Sequence, residues 1–383
     1  MQEKFSIPLE EDALDKVWGN SYRSLPDLGR RFYNYLLLNG SFSDHIGLID
    51  GKGACCLYLY CVSRQSKDPL EESIAFTFLD ELVSSLHKGY PVHFDDGLAG
   101  IGILLEYLSN QKIISEDTNE LLKDIEPYIL GYIYQTEHKE VNISKGVSGL
   151  GLYCLSRLFS STPPQGFQQL RLREAVIACV DGIERMLAAK TSFTPADDLS
   201  ILDGYAGVLL FLDRIEDLGW HQPLSNRLAI RIKAMLTASL QQEGDIWHSL
   251  ETYFVLFKCG WPTAAEQEAG VRRLTQFISN TRESDLLSID PLKAAAIAMW
   301  AGMIYMFYPA PEFPLIRDTL RQSVKDKLSN HHLGDLFPLS QEQRAVKLDL
   351  RKGLLATAMP WFTLESGDHS WLNIFGIQSQ PHD

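Results

Sequence analysis

Four stretches of the chain repeat one order of polar, glycine and apolar positions: IDGKGACCLYLY from Ile49, DDGLAGIGILLEYL from Asp95, SKGVSGLGLYCLSRL from Ser144 and LDGYAGVLLFLDRI from Leu202. Each opens on a polar residue and a glycine, passes a small residue or second glycine, and runs on as an apolar segment. The leading glycines Gly51, Gly97, Gly146 and Gly204 stand 46, 49 and 58 residues apart, the length of a helical hairpin with its loops. The segments are apolar almost all round, which predicts helices packed on every side. Between them, 73–87, 117–135, 170–188 and 226–241 have helical periodicity with one polar face and predict outer helices. DIWHSLETYFVLF from Asp245, SIDPLKAAAIAMWAGMIYMF from Ser288 and LRKGLLATAMPWF from Leu350 keep the period but lose most of the glycines. The expectation is one all-α domain over residues 1–383, built from six or seven hairpins.

If such hairpins close a ring, the inner helices run parallel and their amino ends meet on one rim. Unpaired N–H groups and helix dipoles gather there and favour acidic side chains or an anion. Asp50, Asp96 and Asp203 each precede a leading glycine, and Asp95 adjoins them. As helix N-caps they would each stabilise by roughly 1 kcal/mol; as a carboxylate cluster they would hold a cationic or amine-bearing peptide. A capping aspartate has a lowered pKa, so binding suits these residues better than proton transfer. Lys145 is a cation at a helix amino end, a placement that calls for a rim aspartate or an anionic ligand as partner. Lys52 is expected to face solvent. His45 and His93 lie in loops that reach towards the rim. Tyr205 is expected in the core with its hydroxyl towards the bowl. His248, after Trp247 at the start of an inner helix, suits a metal ligand, an acid/base group or a hydrogen-bonded structural role. Segments 161–168 and 308–314, rich in proline, predict loops. The tail 366–383 carries Trp371 and Phe375 and is expected either to tuck against the ring or to dock on a partner.

The 383 residues are 45% hydrophobic and 22% charged, the balance of a folded chain with a large core. A net charge of −14 argues against nucleic acid or an anionic membrane surface as partner. No segment approaches the roughly 20 apolar residues of a membrane span. The opening MQEKFSIPLEEDALDKVW has no pattern of an export signal, and the six cysteines form no CxxC pair, so reduced core thiols in a cytoplasmic protein are expected.

At its glycine-led repeats the chain resembles the lanthionine synthetase C-like (LanC-like) family, through DDGLAGIG, SKGVSGLG and LDGYAG. The resemblance implies a seven-fold alpha/alpha toroid. It also implies a role in ribosomal peptide maturation of the lanthipeptide type, with a precursor peptide as partner and a dehydratase or another maturation enzyme alongside. Active family members bind zinc through two cysteines and a histidine and add a peptide thiolate to a dehydroamino acid. Their Trp-Cys-Tyr-Gly and Cys-His-Gly signatures are absent here. Counting repeats in order places His248 at the first cysteine and Ile289-Asp290-Pro291 at the second signature, with Asp203 at the histidine of a His-Gly motif. Aligning by glycines places the signatures at Ser144-Lys145-Gly146 and Leu202-Asp203-Gly204. Neither register supplies a thiolate, so no zinc cofactor is expected. The expected function is peptide binding at the rim, with thioether closure by Asp203, His248 and Lys145, or with no catalysis at all. The alternative is a six-hairpin carbohydrate-active enzyme pairing Asp95 or Asp96 with Asp203.

Overall fold

The apolar segments and the amphipathic segments separate into two layers of helices. In the computed structural model, which describes residues 27–40, 43, 45–134, 137–189, 199–242, 249–329, 331–337, 348–351 and 353–377, the chain opens on α1 (Asp27–Gly40). It continues through α2 (Lys52–Ser66), α3 (Pro69–Ser85), α4 (Leu98–Asn110), α5 (Thr118–Leu122), α6 (Glu126–Ile133), α7 (Val147–Leu158) and α8 (Gly166–Ala189). Then follow α9 (Tyr205–Asp217), α10 (Gln222–Gln242), α11 (Leu250–Cys259), α12 (Ala264–Asn280), α13 (Glu283–Ser288), α14 (Pro291–Tyr305), α15 (Glu312–Ser329), α16 (Leu333–Leu336) and α17 (Leu355–Ser366). A 3-10 turn, Ser370–Phe375, comes after α17.

Helices α2, α4, α7, α9, α11, α14 and α17 touch one another in that order, and α17 touches α2, so seven inner helices close a ring. The fold is an all-α alpha/alpha toroid, and of the six or seven hairpins expected the described residues show seven inner helices. Helix α1 packs on α2 and α17 in the outer layer. Every residue of α4 from Leu98 to Ser109 is buried, as its lack of a polar face requires. Each such leucine or isoleucine stabilises by about 1.5–3 kcal/mol on leaving water.

Three local expectations change. The outer stretch 117–135 is broken into α5 and α6, where Pro127 fits the first turn of a new helix. The break also serves a buried ionic cluster: Arg157 of α7, fully buried, donates to Glu106 of α4, to Glu126 at 2.8 Å, and to Thr118 and Asn119 at 3.2 and 2.8 Å. The expected loops 161–168 and 308–314 shorten, because α8 starts at Gly166 and α15 at Glu312 with Pro314 in its first turn. Trp371 and Phe375 are buried inside the ring: Trp371 Nε1 donates to Thr363 Oγ1 at 2.8 Å, and the Phe375 ring lies 5.9 Å from that of Phe94.

Candidate functional site

The loops leading into the inner helices determine what the rim offers. In α2, the N–H groups of Lys52, Gly53 and Ala54 donate to the carbonyls of His45, Ile46 and Gly47, each seven residues upstream. Leu98 and Ala99 bond Pro91 and Val92 in the same way, and Val147 and Ser148 bond Glu140 and Val141. The loop therefore lies flat on the first turn, so close that a Cβ at Gly149 would overlap the carbonyl oxygen of Ile143; Gly100 against Phe94 and Gly207 against Ile201 repeat the arrangement. Backbone carbonyls do the capping, and the N-cap residues are Gly51, Gly97 and Gly204 with no side-chain cap bond. This corrects the expectation that Asp50, Asp96 and Asp203 are N-caps, and with it the expectation of unpaired amides waiting for an anion.

Adjacent loops are stitched together by one recurring bond. Leu350 N–H donates to Ile49 O at 2.9 Å, Ile49 to Asp95 O at 2.9 Å, Asp95 to Ser144 O at 3.1 Å and Ser144 to Leu202 O at 3.0 Å. Ile49, Asp95, Ser144 and Leu202 each stand two residues before a leading glycine. Leu350 holds the equivalent place, and the next residue, Arg351, takes the position that Asp50, Asp96, Lys145 and Asp203 hold in theirs.

Arg351 is the centre of the rim. Its Nη1 donates to Asp203 Oδ1 and Oδ2 at 3.0 and 3.3 Å, its Nη2 reaches Asp95 Oδ2 at 3.5 Å, and its Nε reaches Asp349 Oδ1 at 3.4 Å. Asp203 Oδ1 also accepts from Ser144 Oγ at 2.5 Å, and Asp95 Oδ1 accepts the Asp96 N–H at 2.8 Å. Burial lowers the guanidinium pKa, but Asp203, Asp349 and Asp95 outweigh it and raise Arg351 overall. Burial, then the neighbouring Asp96, pushes the Asp95 carboxyl up to about 7, and Lys145 and Arg351 offset this only in part. This differs from the lowered pKa expected of a capping rim aspartate.

The other expected residues divide. Asp96 is half-buried beside Asp95, whose carboxyl pKa it raises by its charge and by a side-chain hydrogen bond. Asp50 is half-buried at the parallel place before Gly51, and Tyr205 is buried as the first residue of α9. Lys145 is exposed and forms no ion pair with a described residue, which corrects the expected pairing; its charge reaches Asp95 only at a distance. Lys52, expected in solvent, pairs with Glu81 at 3.0 Å. His93 packs edge-on against Tyr132 of the outer helix α6, 5.4 Å between centroids, so its ring turns away from the rim. His45 caps Lys52 through its carbonyl while its side chain is exposed. Trp247 and His248 lie outside the described residues.

The donor set does not fit the family's zinc. Among the described residues no group of three or more His, Cys, Asp or Glu is placed to hold a metal. The carboxylates that converge do so on a guanidinium. Five cysteines are buried within helices and Cys259 is half-buried at the end of α11; burial pushes the Cys55 thiol up to about 12 and raises the others as well. None is a thiolate at the rim.

Seven parallel inner helices and a charged cluster where their amino ends converge define a toroid with its chemistry on one rim. No family model and no curated protein matches the chain. Among solved structures it is similar to one titled "Nisin cyclase", with a TM-score of 0.61 and 13% sequence identity, over 95% of this chain and 96% of that one. The two share the alpha/alpha toroid, the LanC-like fold that the glycine-led repeats resemble.

Proposed function

We propose that the protein acts in ribosomal peptide maturation of the lanthipeptide type and binds a modified precursor peptide at the rim around Arg351, without the zinc centre of the family. The observation that carries this reading is the cluster of Asp95, Asp203 and Asp349 on Arg351 at the mouth of a toroid of the cyclase type. Asp50 and Asp96 add to these aspartates, against Arg351 and Lys145 as the bases, so the mouth favours a cationic or amine-bearing segment. A dehydratase or another maturation enzyme is the further partner this role calls for.

The elevated pKa of Asp95 supports a second reading, in which the rim promotes ring closure itself. The Asp95 carboxylate takes the proton of a peptide cysteine thiol, the sulfur bonds to the β-carbon of a dehydroamino acid, and the proton returns to the α-carbon. A carbohydrate-active role draws less support, because one guanidinium engages both Asp95 and Asp203, and glycoside hydrolysis needs a substrate between its two carboxyl groups.

Binding of a dehydrated precursor peptide of the lanthipeptide type, followed by fluorescence anisotropy, tests the first reading. Binding should weaken with added salt and on Asp203→Asn. No binding of either the dehydrated or the unmodified peptide would end it. Mass spectrometry after thiol alkylation reports ring closure, and stoichiometric zinc in the purified, ring-forming protein would overturn the zinc-free account.

A further inference from the structure

The opposite end of the toroid holds a cavity of about 380 Å³, between the carboxyl ends of α4, α7 and α9 and the 3-10 turn. That volume is in the range of a small-molecule site. Arg214, in the last turn of α9, lines it. A base in that position ordinarily bonds the last helix carbonyls or a neighbouring acid. Arg214 does neither: it donates no hydrogen bond to, and makes no ion pair with, any described residue. Its neighbour Asp213 is engaged by Lys258 Nζ at 3.0 Å. Burial lowers the Arg214 pKa against the pull of Asp217 and Asp213, as befits a guanidinium without a close counter-charge.

The cavity wall supplies more donors. Asn110 Oδ1 accepts the Ser161 N–H at 2.6 Å and Gln111 Oε1 accepts from Arg64, so both amides present their NH₂ groups, which donate to no described residue. Leu152, Leu155, Phe159 and Ile374 supply the apolar part of the lining. The site thus pairs one planar cation and two amide donors with an apolar wall. A guanidinium of this kind accepts a carboxylate in bidentate fashion. Converging helix carboxyl ends carry partial negative charge, which opposes a phosphate dianion more strongly than a monocarboxylate, so the attraction must come from Arg214 and the amide donors.

We infer that this cavity binds a small monocarboxylate with an apolar body, such as an N-acylated aliphatic amino acid or the carboxyl-terminal residue of a peptide, with Arg214 on the carboxylate. The site lies at the far end of the ring from Arg351 and stands independently of the rim's function.

Calorimetric titration of the full chain with N-acetyl-L-leucine, its amide and inorganic phosphate tests the inference. The acid should bind, and the amide and phosphate should bind about tenfold more weakly or worse. Arg214→Gln should reduce binding of the acid by about tenfold or more at unchanged Tm. Leu152→Trp, which fills the cavity and leaves the charge in place, should reduce it equally. Equal binding of acid and amide, equal binding of phosphate, acid binding unaffected by either variant, or no binding of the acid up to about 10 mM would each overturn the assignment.

Discussion

Replacing Arg351 by glutamine removes the one base that holds three aspartates at the rim. Fully buried, each ionic hydrogen bond would contribute about 1.5–3 kcal/mol. The Arg351 side chain is 26% exposed and that of Asp203 is 36% exposed, so solvent screening reduces their paired contacts to about 0.5–1 kcal/mol. Asp95 and Asp349, at 2% and 6%, lose a counter-charge in a drier setting and add a further ~1 kcal/mol or more. The total is about 2 kcal/mol near pH 8, a fall in Tm of about 2–3 °C in a chain of this size. The loss depends on pH. The Asp95 carboxyl in the folded protein sits at about 7, above its ordinary 3.8, so its contribution favours the folded state at low pH and is lost as pH rises towards 7. Arg351 moderates that loss by lowering the Asp95 pKa, and glutamine does not. At pH 5 folded Asp95 is protonated in both proteins, and at pH 8 the variant alone faces the full penalty. Differential scanning fluorimetry should therefore show a larger gap between the two proteins at pH 8 than at pH 5. A gap of the same size at both values, or no gap, would refute the claim that Arg351 neutralises ionised rim carboxylates.

Asp95→Asn keeps an acceptor for the Asp96 N–H and removes the buried charge, so stability should rise relative to the parent as pH increases from about 4 to 7; parallel Tm curves across that window would contradict it. Gly149→Ala drives a Cβ into the Ile143 carbonyl and should cost about 3 kcal/mol or prevent folding. Gly131→Ala, where nothing lies within 4 Å, should be neutral or stabilise by up to ~1 kcal/mol, and urea denaturation distinguishes the two. Arg157→Met strips the counter-charge from buried Glu106 and Glu126 and should cost about 3–5 kcal/mol. A loss below about 1 kcal/mol would mean that the cluster is already neutral, which the burial-raised Glu106 carboxyl makes the sharpest alternative.

The inner helices were legible in the sequence because a glycine-led run without a polar face has one stable destination, a helix packed on all sides. The outer helices were legible from their period, except at Pro127, where a break was needed to bring Thr118, Asn119 and Glu126 onto Arg157. The rim was legible only in part. A residue before a helix glycine reads as an N-cap unless the loop's course is known, and that course, with carbonyls meeting amides seven residues on, exists only once the loop folds back. Arg351 escaped notice for a related reason: Lys352 stands where its repeat would carry the leading glycine, and its partners Asp203 and Asp95 lie 148 and 256 residues away.

The same bond pattern explains why the rim side chains can vary without loss of the fold. Main-chain carbonyls cap α2, α4 and α7, and main-chain bonds through Ile49, Asp95, Ser144, Leu202 and Leu350 register neighbouring loops. The side chain just before each glycine therefore has no part in capping the helices, and what it contributes comes through the ion pairs of the rim. Asp50, Asp96, Lys145, Asp203 and, in the last repeat, Arg351 can be exchanged with small consequences for the helices and large ones for the charge at the mouth. In this chain those positions, with Asp95 and Asp349 beside them, have assembled an ion-paired cluster on Arg351 without disturbing the backbone bonds that hold the loops.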